Sequence, residues 1–312
     1  SSALVGEDQM SKTEPDILRS VADKVPGADL KISTGVAGAA NKLTLRGNKS
    51  FSGANTPLII VDGVPYSNNE ITGGANRSTD GPSVISGLSS LDSNDIKSIR
   101  FLKGNTAAAL YGGRAFDGVI LVETKSGSKK SSKRGLEVAL SSGTSFETIS
   151  KLPEYQNKYG AGSQGNYSNS NGSWGPSFDS RETIPTWSEY YNNGVITTTT
   201  IPYVAQPDNV KNLFRTGVVR DNSISFRAGG EKGGFNAVIS RLDQDSYIPY
   251  NELTKTSFSV GGWGKLENGL SINGSIAHSI VSQSSPFLGN NQISGSASSF
   301  ARTLFLARNW DT

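Results

Sequence analysis

From Leu136 onward the chain adopts a period of two and keeps it, which commits the second half of the molecule to β-structure. Leu136, Val138, Leu140, Thr144 and Phe146 fall in one phase, and Glu137, Ser141, Ser145 and Glu147 in the other, as a strand with one apolar face requires. Residues 222–229 repeat the pattern, with Ile224, Phe226 and Ala228 against Ser223, Ser225 and Arg227. A glycine-rich turn at 229–234 leads into a less regular strand, 235–243, where Phe235, Ala237 and Ile239 oppose Val238 and Leu242 and neither face is clearly apolar. Phe258, Val260 and Leu266 then alternate with Ser257, Ser259 and Lys265. After the hairpin signal Asn268-Gly269, Leu270, Ile272, Ile276 and Ile280 alternate with Ser271, Asn273, Ser275 and Ser279.

Strands of about 9 to 11 residues, apolar on one face and polar on the other, suit a tilted transmembrane barrel. The connections at 229–234 and 267–269 are short, and those at 149–221 and 244–256 long. Long loops at one end and short turns at the other are the asymmetry of outer-membrane barrels; a soluble sandwich has no reason to sort its loops. No stretch approaches the roughly 20 apolar residues of a membrane helix, which excludes a helical membrane protein and leaves the barrel open. The pattern predicts about five strands, and an open sheet cannot sit in lipid with its edge N–H and C=O groups unpaired. More strands are therefore expected beyond Thr312.

Before the alternating region lies a compact strand-helix-strand unit, Leu91 to Gly127. Lys97–Lys103 alternates, with Ile99 and Phe101 on one side and Ser98, Arg100 and Leu102 on the other. Asn105 can cap a short helix through Ala107, Ala108, Ala109 and Leu110, and Gly112-Gly113 stops it. Val119–Glu123 is a nearly continuous apolar run, as expected of a strand covered on both faces. Upstream, Ala3–Gly6 reads as a short strand. Glu14-Pro15-Asp16 opens a helix with Ile17, Leu18, Val21 and Val25 as its stripe. Lys42–Arg46 and Pro57–Asp62 are further strands, the second ending at an Asp62-Gly63 turn. These elements suffice for a small α+β domain over 1–125, followed by a polar linker, 126–135, and the strands of 136–312.

Residue inventory removes most enzyme chemistry. Among 312 residues there is no cysteine and one histidine, His278, so thiolate nucleophiles, Cys-ligated metals and His-based catalytic arrangements lack their side chains. Neither a catalytic set, a metal site nor a cofactor is expected. A net charge of +3, from 30 basic and 27 acidic residues, gives no ground for a nucleic-acid partner, and the basic run SGSKKSSKRG suits a solvated linker. Gly160-Ala-Gly-Ser-Gln-Gly165 follows no strand and opens no helix, so it is not a dinucleotide loop. Asp92-Ser-Asn94-Asp95 lacks the glycine and distal glutamate of a calcium loop and reads as turn capping. His278, placed by the pattern near a strand end in the apolar phase, suits a membrane interface.

The motifs Leu43-Thr-Leu-Arg46-Gly47, Pro57-Leu-Ile-Ile-Val-Asp62-Gly63-Val64-Pro65, Ile96–Lys103, Ala107-Ala-Ala-Leu-Tyr111-Gly112 and Gly118-Val-Ile-Leu-Val-Glu-Thr-Lys125 resemble, in order and spacing, the plug of the SusC/RagA family of TonB-dependent outer-membrane transporters. The resemblance covers roughly 43–125; Gly104 departs from it, standing where the family has aspartate. It implies an α+β plug followed by antiparallel transmembrane β-barrel strands, about 22 in the complete barrel, of which this chain holds the first. It further implies import of oligosaccharides or peptides across the bacterial outer membrane, a SusD/RagB-like surface lipoprotein as lid, and energy from the TonB-ExbB-ExbD complex. The resemblance favours a dimer of barrel-lid pairs, and the TonB box is expected upstream of Ser1. A signalling receptor or a surface adhesin on the same barrel is the alternative. Orientation as in the family would make Phe51, Tyr66, Asn68, Asn69 and Arg77 ligand-facing, together with Trp174 from the aromatic 157–209 loop, which also carries Tyr159, Tyr167, Trp187, Tyr190 and Tyr191.

Overall fold

In the computed structural model the described residues are 2–31, 37–38, 41–45, 47, 56–66, 90–103, 105–127, 135–168, 172–192, 195–285 and 303–311. The N-terminal region builds a five-stranded sheet from β1 (Ser2–Gly6), β4 (Leu58–Val61), β5 (Val64–Tyr66), β6 (Ile96–Leu102) and β7 (Val119–Thr124), in the spatial order β1-β6-β7-β4-β5. A separate hairpin pairs β2 (Ala28–Lys31) with β3 (Lys42–Leu45). Neither β2 nor β5 was predicted; each is very short, and β5 contains Pro65.

Strand β7 lies between antiparallel β6 and parallel β4 and is covered on both faces, as its apolar run requires. Ile99, Phe101, Ile120, Val122 and Ile59 point to one side, under Ile17, Leu18 and Val21 of α1 (Ile17–Ala22) and Leu43 and Leu45 of β3. Leu102, Val119 and Ile60 point to the other, where Ala107 of α2 (Asn105–Tyr111) and Ala115 close a smaller cluster. Helix α1 begins later than the sequence suggests, because Asp16 is its cap: Asp16 Oδ1 accepts from the Leu18 N–H at 2.8 Å. Gly112, at φ 76°, follows α2, while the side chain of Asn105 lies outside the described residues. The Asp62-Gly63 turn has positive φ at both residues, the two-residue geometry that matches strand twist. Asp62 is held there by Thr124, whose N–H and hydroxyl donate to its carboxylate at 2.9 and 2.6 Å.

The second half builds a five-stranded antiparallel sheet from β8 (Gly135–Glu147), β11 (Gly217–Gly229), β12 (Gly233–Asp245), β13 (Glu252–Lys265) and β14 (Ser271–Ser284), in the order β14-β13-β12-β11-β8. The strands run 13 or 14 residues, longer than the alternation indicates. Gln244 and Asp245, which the pattern assigns to a loop, continue the β12 ladder. The connection there shrinks to 246–251, so only 148–216 is long at that end; turns 230–232 and 266–270 stay short at the other. The 148–216 segment is not a bare loop. It holds a hairpin of β9 (Thr183–Asn192) and β10 (Val195–Pro202) and a short helix, α3 (Asn209–Asn212).

The faces of this sheet are inverted relative to a water-soluble protein. Leu136, Val138, Leu140, Phe146, Phe235, Ile239, Phe258, Ile272, Ile276 and Ile280 project outward, Leu140 with 80% of its surface exposed. Asp221, Asn236, Ser240, Gln244, Lys255, Ser257 and Ser259 project inward and are buried. Contiguous apolar surface of this extent is unfavourable in water, at about 25 cal/mol per Å², and favourable against lipid. The irregular strand resolves too: even-numbered residues of β12, Asn236 to Gln244, face inward. His278 pairs with Phe258 near the middle of β14, on the outward face and not at a strand end.

Truncating Phe101, fully buried at the centre of the larger cluster, is expected to cost about 3–5 kcal/mol. Denaturant-dependent protease sensitivity of the N-terminal domain in detergent would measure it, with the barrel strands little affected.

Candidate functional site

The inward face of the wall does not enclose a dry core. It meets the N-terminal domain through hydrogen-bonding side chains, centred on the Leu91–Asp95 turn that precedes β6. Asn94 Nδ2 donates to both oxygens of Asp221 on β11, at 2.9 and 3.1 Å. Its Oδ1 accepts from the Ser223 hydroxyl at 3.0 Å. Asp92 accepts from the Ser240 hydroxyl on β12 at 2.7 Å and, within the turn, from the Asn94 N–H at 2.9 Å. Lys255 on β13 is 3% exposed and donates from Nζ to the Leu91 carbonyl at 2.9 Å. Its charge is balanced by Asp92, Asp221 and Asp16. Three neighbouring strands thus grip one turn.

A second contact lies where the domain leads toward the wall. Ser126 is buried, and its N–H and hydroxyl donate to the Asp95 carboxylate at 3.1 and 2.6 Å. Its backbone lies so close to Gly261 of β13 that a Cβ there would sit 1.8 Å from the Ser126 carbonyl oxygen; glycine is required for the approach. Burial pushes the Asp95 carboxyl above the usual carboxylate range, against the opposing pull of the Ser126 hydrogen bonds. A smaller apolar contact joins Ala37 to Val219, Leu242 and Leu253.

Phe51, Asn68, Asn69 and Arg77 lie outside the described residues. Tyr66, at the end of β5, packs against the larger core cluster with its hydroxyl 2.5 Å from Ser90 Oγ. Trp174 lies on the 148–216 segment with 72% of its surface exposed. That segment folds on itself: Ala161, Ile184 and Tyr203 form a cluster with Ala307 and Trp310. The Arg308 guanidinium ties the two stretches by donating to Asn157 Oδ1 at 3.0 and 2.9 Å. The side chains of Trp187, Tyr190 and Tyr191 lie outside the described residues. The turn residues that hold the seam read as caps from sequence, and their wall partners read only as the polar face of barrel strands, with no partner indicated. Their one signal is that Asp221, Ser223, Ser240, Lys255 and Ser257 share the polar phase of adjacent strands.

Lys255→Met would leave Asp92, Asp221 and Asp16 without the cation that balances them and is expected to loosen the N-terminal domain by about 3–5 kcal/mol, read as protease access in detergent. The raised Asp95 pKa carries a definite sign. The folded state holds its proton more tightly than the unfolded chain, so Asp95 favours folding most below the unfolded carboxylate pKa. That contribution is lost as pH rises through the folded value. Asp95→Asn keeps an acceptor for Ser126 and is expected to stabilise the seated domain at neutral pH and flatten this dependence. A variant as pH-sensitive as the parent would exclude the assignment.

Comparison with known proteins agrees with this geometry. The family model described as the TonB-dependent receptor plug domain matches residues 1–119. SusC, a TonB-dependent receptor of Bacteroides thetaiotaomicron, is 35% identical over 107 residues, 34% of this chain and 10% of that protein. The TonB-dependent receptor P26 of Formosa agariphila is 30% identical over 153 residues, 49% of this chain and 14% of that protein. A structure of the RagAB peptide importer in a closed-closed state superimposes with a TM-score of 0.66 at 16% identity, over 100% of this chain and 33% of that chain. The chain thus spans a small fraction of these relatives, and the likeness to the importer is one of fold. Together, the plug match over residues 1–119 and the SusC relationship make the N-terminal part of this chain similar to the plug of TonB-dependent receptors, and the fold of the chain is that of a plug with adjoining barrel strands.

Proposed function

We propose that the complete protein imports oligomeric nutrients, oligosaccharides or peptides, across the bacterial outer membrane. The TonB-ExbB-ExbD complex drives the import, and a SusD/RagB-like lipoprotein closes the outer mouth, in a dimer of barrel-lid pairs. The observation that carries the reading is the seam. A plug seated by hydrogen bonds among Asp92, Asn94, Asp221, Ser223 and Ser240 can exchange those bonds with water one at a time. A plug seated by apolar packing would have to expose its whole contact face at once. RagAB is described as a peptide importer and SusC as a TonB-dependent receptor, both consistent with transport rather than catalysis.

On this reading 1–125 is the plug, 126–135 the linker and 136–312 barrel wall with its loops. Cargo approaches the end of the wall from which 148–216 departs. Trp174, exposed on that segment, is assigned to contact with the cargo, and the resemblance assigns the same role to Tyr66, Phe51, Asn68, Asn69 and Arg77. No catalytic, metal or cofactor role is assigned to any residue.

Loss of TonB is expected to abolish uptake while surface binding persists; uptake that continues without TonB would contradict the coupling. Purification of the full-length protein in mild detergent is expected to bring down one lipoprotein in equal amount, together with bound oligomers visible by native mass spectrometry. A barrel that purifies alone would contradict the lid.

A further inference from the structure

A cavity of about 800 Å³ opens between the start of α1 and the wall, at the end of β8 from which 148–216 departs. Glu14, Asp16 and Asn41 line it from the plug, and Glu147, Gln244 and Tyr247 from the wall side. Its hydrogen-bonding balance is one-sided. Gln244 is 5% exposed, and its Nε2 donates to both Glu147 oxygens at 3.1 and 3.0 Å. Among the described residues its buried Oε1 accepts from no donor. Asn41 Nδ2 likewise donates to Asp16, which leaves the buried Asn41 Oδ1 without a donor among the described residues. Both amides thus spend their donor groups on carboxylates and leave their acceptors unmatched.

The cations nearby redress this only in part. Arg19 pairs with Glu14 at 3.5 Å, Lys255 acts on Asp16 through space while its Nζ is bound to the Leu91 carbonyl, and Lys151 lies exposed at the rim. Burial raises the carboxyls of both Glu14 and Asp16 above the usual range, so a cation brought among them would favour their charged forms. Nor do these groups converge on a metal. Among the described residues no cluster of three or more metal-ligating side chains exists, and the cavity has the size of an organic ligand and not of an ion. What such a site lacks is a positively charged group with several N–H donors.

We infer that this cavity receives an ammonium or guanidinium group of the imported oligomer, held by Asp16 and Glu147 with Gln244 Oε1 and Asn41 Oδ1 as further acceptors. The inference rests on the import reading and narrows it to cationic cargo. The ammonium can come from a basic peptide or from an amino-sugar oligomer, since both present the same donors.

The test is binding to the purified full-length receptor, by calorimetry, of trilysine, a glucosamine trimer, trialanine, maltotriose and triglutamate. Binding of trilysine or of the glucosamine trimer at least about tenfold tighter than its neutral counterpart supports the site, and the trimer that binds identifies the source. Asp16→Asn is the informative variant. An asparagine still caps α1, and a flip of Asn41 lets its free Oδ1 accept from the new amide, so folding is preserved. This change is expected to erase about tenfold of the cationic preference and to leave neutral trimers unaffected. Equal binding of cationic and neutral trimers, no binding of either cationic trimer, a preference for triglutamate, or an Asp16→Asn variant that keeps the preference would each overturn the inference. Any of these with TonB-dependent uptake intact leaves the import reading standing, whereas failure of that reading shows as uptake indifferent to TonB.

Discussion

The structure depends on one inversion: the wall sheet turns its apolar residues outward and its polar residues inward. Lipid can satisfy Leu140, Ile276 and their neighbours, but the inward Asp221, Ser240 and Lys255 need hydrogen-bonding partners once water is displaced. The plug supplies them. Asn94 turns both ends of its amide to the wall, Nδ2 donating to Asp221 and Oδ1 accepting from Ser223. Lys255, which would be costly to bury alone, sits where the Leu91 carbonyl and three carboxylates surround it.

Two kinds of contact therefore coexist, and their difference sets what can move. Within the plug, Phe101, Ile120 and Val122 pack against α1 and β3 as an apolar core, which is lost cooperatively and at high cost. Between plug and wall, most contacts are single hydrogen bonds whose net contribution is about 1 kcal/mol each. A pull on the plug would release the seam before it melts the core. The cavity between α1 and β8 adds to this, because the wall does not grip the plug there.

Much of this was legible in the residues, and the part that was not has a common cause. The apolar run Val119–Val122 and the turn at Asp62-Gly63 depend on local periodicity and backbone chemistry, and both formed as expected. The alternation from Leu136 located all five wall strands, but their ends were misplaced. Gln244 and Asp245, with Glu252 to Thr256 opposite, read as loop because no apolar alternation marks them, although they continue the ladder between β12 and β13. The seam was hidden by the same lack of a local signal. Asp92 and Asn94 are indistinguishable from turn caps until Asp221 and Ser240, more than 120 residues away in sequence, are brought opposite them. The Tyr203 and Trp310 cluster joins stretches some hundred residues apart, and no periodicity reports a contact of that separation.

Whether the plug must leave its seat for transport can be tested by fixing it there. Thr13 of the plug faces Gly143 of β8 so closely that a Cβ on Gly143 would lie 2.7 Å from Thr13 Cγ2, so side chains placed at these two positions meet. This chain contains no cysteine, so a Thr13→Cys, Gly143→Cys pair introduces the only thiols within it. Uptake in cells carrying this pair, oxidised and then reduced, is the direct measurement. The oxidised receptor is expected to bind cargo without importing it and to regain import on reduction. Import at the full rate with the crosslink formed would contradict a plug that moves from its polar seat.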